Sequence, residues 1–225
     1  MGEAVGQSLP LAIGVALSPV PIIAVVLVLT TPRARANSPA FVLGWLVGLG
    51  VVGTVVLALA GPGGASEEGQ PATWVSWLKL LLGVLLLLVA VRQFRGRPQE
   101  GEEARLPRWM GAIDRFGPGQ ALGGGAALAG ANPKNLLLAV GAAAAIAQTG
   151  IPASRQAIAY AIFAVIGTLG VGAPVSLYFA TGERSADLLG RLKDWMGHNN
   201  AVIMAVLCLI IGMKLLGDAV GGLLS

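Results

Sequence analysis

"AGANPKNLLLAV", residues 129–140, packs a proline, a lysine and two asparagines into four consecutive positions, Asn132 to Asn135. Apolar residues, alanine and glycine dominate on both sides. A proline inside a helix removes one hydrogen bond and frees a carbonyl. A lysine at the centre of a bilayer costs about 2.5–3.5 kcal/mol on insertion scales. Whether this break lies in water or in the middle of a membrane span decides the fold.

Composition points to the membrane. Of 225 residues, 55% are hydrophobic and only 12% charged, and the mean hydropathy is +0.77. These values exclude an ordinary soluble domain and a disordered chain. The 33 glycines suit helices packed closely in lipid. Six stretches are long and apolar enough to cross, at about 20 residues each: 8–30, 38–60, 74–94, 119–148, 155–180 and 201–222. Lys134 lies about 14 residues from both Gln120 and Gln148, which is roughly 20 Å of helix on either side. The break therefore falls near mid-membrane, and Pro19 and Pro21 sit centrally in 8–30. Residues 181–200 read as a polar, partly amphipathic loop, with His198 beside a helix start.

The net charge of +4 is no sign of nucleic-acid binding, because the basic residues lie between apolar segments. Loops one, three and five hold Arg33, Arg35, Arg92, Arg95, Arg97, Arg105, Arg108, Arg115, Arg184, Arg191 and Lys193, whereas loops two and four hold only Arg155. The positive-inside bias puts the odd loops in the cytoplasm and both termini outside. The N-terminus does not read as a cleavable signal, because it begins with Glu3 and its apolar run is too long. In loop three, Leu106, Trp109, Met110, Ile113 and Phe116 recur at helical spacing, as in a helix lying on the inner membrane surface.

The first and fourth spans match. Each has small residues, then a polar residue with a proline (Ser18-Pro19, Asn132-Pro133), then an apolar half-helix. Each is followed by a glycine-rich span and then by a span with a central glycine. The expected fold is an all-α integral membrane protein of six transmembrane helices. Two three-helix repeats, 1–95 and 119–225, flank a cytoplasmic linker, 96–118. An odd number of spans per copy makes the repeat inverted, with helices 1 and 4 broken at mid-membrane. This is the layout of many secondary transporters.

Half-helices that start at a break aim N–H groups into it and suit anionic or strongly polar groups. The substrate-binding candidates are Ser18, Pro19, Pro21, Asn132, Pro133, Lys134 and Asn135. Lys134 would neutralise an anionic headgroup or a carboxylate, and it should face a cavity rather than lipid. Ser18, Asn132 and Asn135 would hydrogen-bond, and the prolines would let the half-helices hinge. Alternatively each break is a kink that aids packing. Arg33 and Arg35 could collect anionic headgroups, although plain topology signals are the simpler reading.

Lys214 is expected to snorkel toward the outer surface rather than to bond Asp218. Lys79 is expected to anchor at the interface beside Trp74 and Trp77. Cys208 reads as a small buried hydrophobe. No cluster of His, Cys or carboxylates suggests a metal, no cofactor is expected, and no mid-membrane carboxylate offers a proton relay. An enzyme is not expected: the lone His198 is far from Ser18, and only a Ser18–Lys134 pair could in principle make a nucleophile.

"ALSPVPIIAVVLVL" (16–29), "ANPKNLLLA" (131–139) and "DRFGPGQALG" (114–123) resemble the actinobacterial glycolipid-addressing proteins, including the peptidoglycolipid- and sulfolipid-addressing proteins. The resemblance covers nearly the whole chain. It implies a place in the lysine-exporter superfamily of six-helix transporters and a role in moving cell-envelope glycolipids across the plasma membrane toward the surface. Membrane lipids or a glycolipid would be the substrate. A small-solute exporter for amino acids or similar metabolites is the alternative. The chain could also form a homo-oligomer, through Gly44-x3-Gly48 or Gly217-x3-Gly221, and could meet lipid-synthesis or envelope-export proteins.

Overall fold

A computed structural model describes residues 1–60, 73–97, 113 and 115–224. Most of the loop-three helix expected over 106–116 lies outside them. The described residues form helices and no strand. The helices are α1 (Gly2–Ala16), α2 (Pro19–Leu29), α3 (Ala34–Ala60), α4 (Thr73–Arg95), α5 (Pro118–Gly130), α6 (Pro133–Gln148), α7 (Ala153–Thr181) and α8 (Ala186–Leu224), and a 3-10 turn at Gly182–Ser185 joins α7 to α8. Among them α3, α4, α7 and α8 are each long and apolar enough to cross a membrane. The pair α1 and α2, bent by 50° at its break, makes a fifth crossing if taken as one span. The protein is thus a multi-pass helical membrane protein.

Two interruptions have the same local cause. Ser18 (φ −71°, ψ 111°) and Asn132 (φ −68°, ψ 120°) are both extended, and each precedes a proline at the first helical position. A proline pushes the residue before it out of the helical region, yet its own fixed φ suits the start of a new helix. So the chain stops and restarts a helix at Ser18-Pro19 and again at Asn132-Pro133.

The restarted helices are the inner ones. In α2, Ile23 to Val26 are buried, and in α6 burial runs without a gap from Gly141 to Ala147. Helices apolar on every face belong in a core. The outer helices carry their large apolar residues outward: Val51 on α3, Leu88 on α4, Val165 on α7 and Ile210 on α8 are each more than half exposed. That arrangement suits lipid rather than water as solvent.

Glycines set the closest helix contacts. A Cβ on Gly44 would strike the carbonyl of Leu122, and one on Gly48 would lie 2.5 Å from Ala126 O, both on α5. Gly125 of α5 meets Phe41 O in return. On the other side Gly170 of α7 lies against Ala16 O of α1. Gly83 of α4 and Gly212 of α8 face each other's carbonyls, with an added Cβ 3.0 and 3.1 Å away. The Gly44-x3-Gly48 face is therefore filled within the chain and is not available to a second copy. An added Cβ on Gly217 or Gly221 meets only open space.

Three local expectations are corrected. Residues 186–200 are not a loop: α8 runs unbroken from Ala186, so His198 stands inside a helix. No proline interrupts this stretch, Leu189 and Met196 bury one face of it, and the real break is Gly182 at φ +60°. Lys214 does bond Asp218, at 2.6 Å, because four residues bring the two onto one face. Lys79 is buried at 4% exposure rather than lying at a surface.

Candidate site at two helix breaks

Opening a helix ladder leaves carbonyls without their usual donors. At the first break the N–H of Ser18 bonds Val15 O, so Gly14 O, four residues before Ser18, loses its regular partner. At the second break the N–H of Asn132 turns to Ala127 O, so Leu128 O, four residues before Asn132, is freed in the same way. A freed carbonyl buried away from water must find a donor in protein or in a wet cavity.

Both donors come from the start of α6. Lys134 Nζ donates to Gly14 O at 2.7 Å and to Ser18 Oγ at 2.6 Å. Asn135 Nδ2 donates to Leu128 O at 3.0 Å. That bond fixes which way the amide faces, leaving Oδ1 to accept the Ser18 hydroxyl at 2.6 Å. Asn132 Oδ1 accepts the backbone N–H of Lys134 at 3.1 Å and caps α6. One network thus joins the two breaks, and Lys134, Ser18 and Asn135 are almost completely buried in it.

The structure brings Ser18, Lys134 and Asn135 together, with Asn132 behind them as the cap. Pro19, Pro21 and Pro133 make no polar contact and act through the backbone. Pro19 and Pro21 are buried, whereas Pro133 is exposed. Arg33, in the turn between α2 and α3, and Arg35, in the first turn of α3, are exposed and take no part in these hydrogen bonds. Lys134 faces the carbonyl and hydroxyl of the first break and does not line the cavity between α3 and α7. Among the described residues no carboxylate pairs with it. Such a buried cation can hold an anionic group once the breaks part. It is poorly arranged as a catalytic base, because the Ser18 proton points to Asn135 and the lysine acts as a donor.

Gly14 and Leu128 take part through main-chain oxygens. The signal for them was present in the sequence as a spacing: each lies four residues before the polar residue of a prolyl break.

A multi-pass membrane protein with a buried cation bridging two interrupted helices is the class that fold and site define. The family model of the sulfolipid-1-addressing protein, Sap, matches residues 9–221. The chain belongs to that family, as the resemblance of its prolyl breaks implied. No curated protein and no solved structure matches it.

Proposed function

We propose that this protein is a transporter, not an enzyme, that moves cell-envelope glycolipids or related lipids across the plasma membrane toward the cell surface. The observation that carries the reading is the contact of Lys134 Nζ with Gly14 O and Ser18 Oγ, a charge joining two helix breaks. Two interrupted helices meeting around a charged group are the usual build of a transport site. Membership of the sulfolipid-1-addressing family supports a lipid as the substrate.

In this reading α5 and α6 form one broken span, as α1 and α2 do, for six in all. Residues 1–95 and 119–225 are inverted repeats, as in the lysine-exporter superfamily, and both termini lie outside. The contacts support this. Exchanging the halves maps α3 against α5 onto α7 against α1, each seated on glycine, and maps the α4–α8 contact at Gly83 and Gly212 onto itself. Parting of the two breaks would release Lys134 to an anionic headgroup while Ser18 and Asn135 offer hydrogen bonds.

The test uses the native host. The gene is deleted, surface-extractable lipid is compared with total lipid, and the strain is complemented with wild type or Lys134→Ala. One lipid class should leave the surface yet persist in the cell. Only wild type should restore it, with the variant present in the membrane at a comparable level. Unchanged surface lipid in the deletion strain defeats the proposal and turns attention to efflux of amino acids or similar metabolites.

A further inference from the structure

A cavity of about 790 Å³ lies between α3 and α7, where the end of α6 and the turn after it close one end. On α3 its wall includes Leu46, Gly50 and Thr54; on α7 it includes Ala157, Ala161 and Val165. These six are all exposed or partly exposed, so the cavity opens sideways through the wall of the molecule. The rims, Leu46 at 36% and Val165 at 61% exposure, stand on helices long and apolar enough to cross the membrane. The mouth therefore meets hydrocarbon.

Its polar groups are largely committed elsewhere. Tyr160 donates its hydroxyl to Leu49 O at 2.9 Å, and Gln156 donates its amide to Ile151 O at 2.8 Å. Glycine makes the space. A Cβ on Gly53 would collide with the Tyr160 ring, so that glycine lets the ring lie flat against α3, while an added Cβ on Gly50 meets only open space. On α3 the lining runs from Leu46 to Ala58, a length of about 18 Å at 1.5 Å per residue. The hydrocarbon of one leaflet is about half of roughly 30 Å. Length, chemistry and opening agree with one occupant.

We propose that this groove binds the hydrocarbon tail of a membrane lipid, entering sideways from the leaflet on the α6–α7 side. The groove is separate from the Lys134 network and holds no charged group. It deepens the transport reading by adding a tail site to a headgroup site, and it rests on that reading only for the fate of the bound lipid.

The full chain in bilayer nanodiscs containing a phospholipid with a diazirine in its acyl chain tests this. After illumination, labelled positions are mapped by mass spectrometry. Labelling of residues 46–58 and 153–165 should exceed that of the lipid-facing back of α8, around Ile210 and Met213, by several-fold. Gly50→Leu, and independently Ala161→Leu from the other wall, should cut the groove labelling several-fold and leave the α8 labelling and the melting temperature unchanged. Labelling no stronger in the groove than on α8, or insensitive to both substitutions in folded protein, overturns the proposal. Lipid translocation is read separately in proteoliposomes. A labelled groove in a protein that moves no lipid leaves the tail site standing and sinks the transport reading instead.

Discussion

Lys134 is a cation with two oxygens for partners and, among the described residues, no carboxylate, and that imbalance makes its role testable through stability. Removing Ser18 Oγ leaves the buried lysine with Gly14 O alone and strands Asn135 Oδ1. Hydrogen bonds to charged groups are worth about 1.5–3 kcal/mol each, so Ser18→Ala should lower stability by about that much. Lys134→Met also removes those bonds, but it removes the desolvated charge with them. Ser18 Oγ, already 3.5 Å from Gly14 O, stays beside that carbonyl as a donor, and loss of the desolvated charge offsets part of the lost bonding. The order expected in thermal unfolding in detergent is therefore Ser18→Ala less stable than Lys134→Met, while Lys134→Met is the more damaging of the two to lipid export. The reverse order in stability would mean that the lysine is a structural strut. Ser18 and Asn135 share one network, so Ser18→Ala and Asn135→Leu should be non-additive by about 0.5–3 kcal/mol; simple additivity breaks the claim that they act together. The sequence marked Lys134, Ser18 and Asn135 as polar residues beside prolines. The spacing of four marks Gly14 and Leu128 as freed carbonyls, but not which side chain reaches each, because only the fold brings Gly14 to α6.

At the scale of helices, the glycines fall into two kinds that the sequence does not distinguish. Gly44 and Gly170 each hold a foreign backbone carbonyl where a Cβ would sit, whereas Gly50 and Gly217 hold nothing. Backbone cannot yield as a side-chain tip can, and overpacking typically costs about 1–3 kcal/mol or more. Gly170→Ala and Gly44→Ala should therefore each lower the melting temperature clearly. Gly50→Ala and Gly217→Ala should leave it unchanged or raise it slightly, since alanine is the better helix former by about 0.8–1 kcal/mol. Equal effects at all four positions would contradict the packing described. The helix breaks were legible for a different reason: a polar residue before a proline has one preferred backbone. The unbroken α8 was not legible. Its first half is polar, and its charges suit a loop, although Leu189 and Met196 keep a buried stripe through it. A helix that leaves the bilayer and continues changes its solvent without changing its conformation.

The whole molecule carries one property that hydropathy cannot supply and charge can, which is its orientation. The spans themselves are nearly neutral to inversion, since lipid is the same solvent on both sides. The decision falls to short flanking segments, where lysine and arginine are held on the cytoplasmic side. In the six-crossing arrangement Arg33 between α2 and α3, Arg35 at the start of α3, Arg92 and Arg95 at the end of α4, and Arg184 and Arg191 after α7 fall on one side, with Arg155 near the start of α7 on the other. If α5 and α6 cross as one unit, six crossings return the C-terminus to the side of the N-terminus. If they enter and leave on one face, five crossings put the termini on opposite sides. A reporter that works only outside the membrane, such as alkaline phosphatase, fused after Ser225 separates the two. With the basic loops held inside, it should be active there and silent when placed in the α2–α3 turn. Activity in that turn and silence at the C-terminus would mean that the basic loops lie outside. Silence at both would mean an odd number of crossings, and α5 and α6 would then be a re-entrant pair. In that case the Lys134 network would still join two helix breaks, but the inverted repeat, and the alternating access it supports, would have to be abandoned.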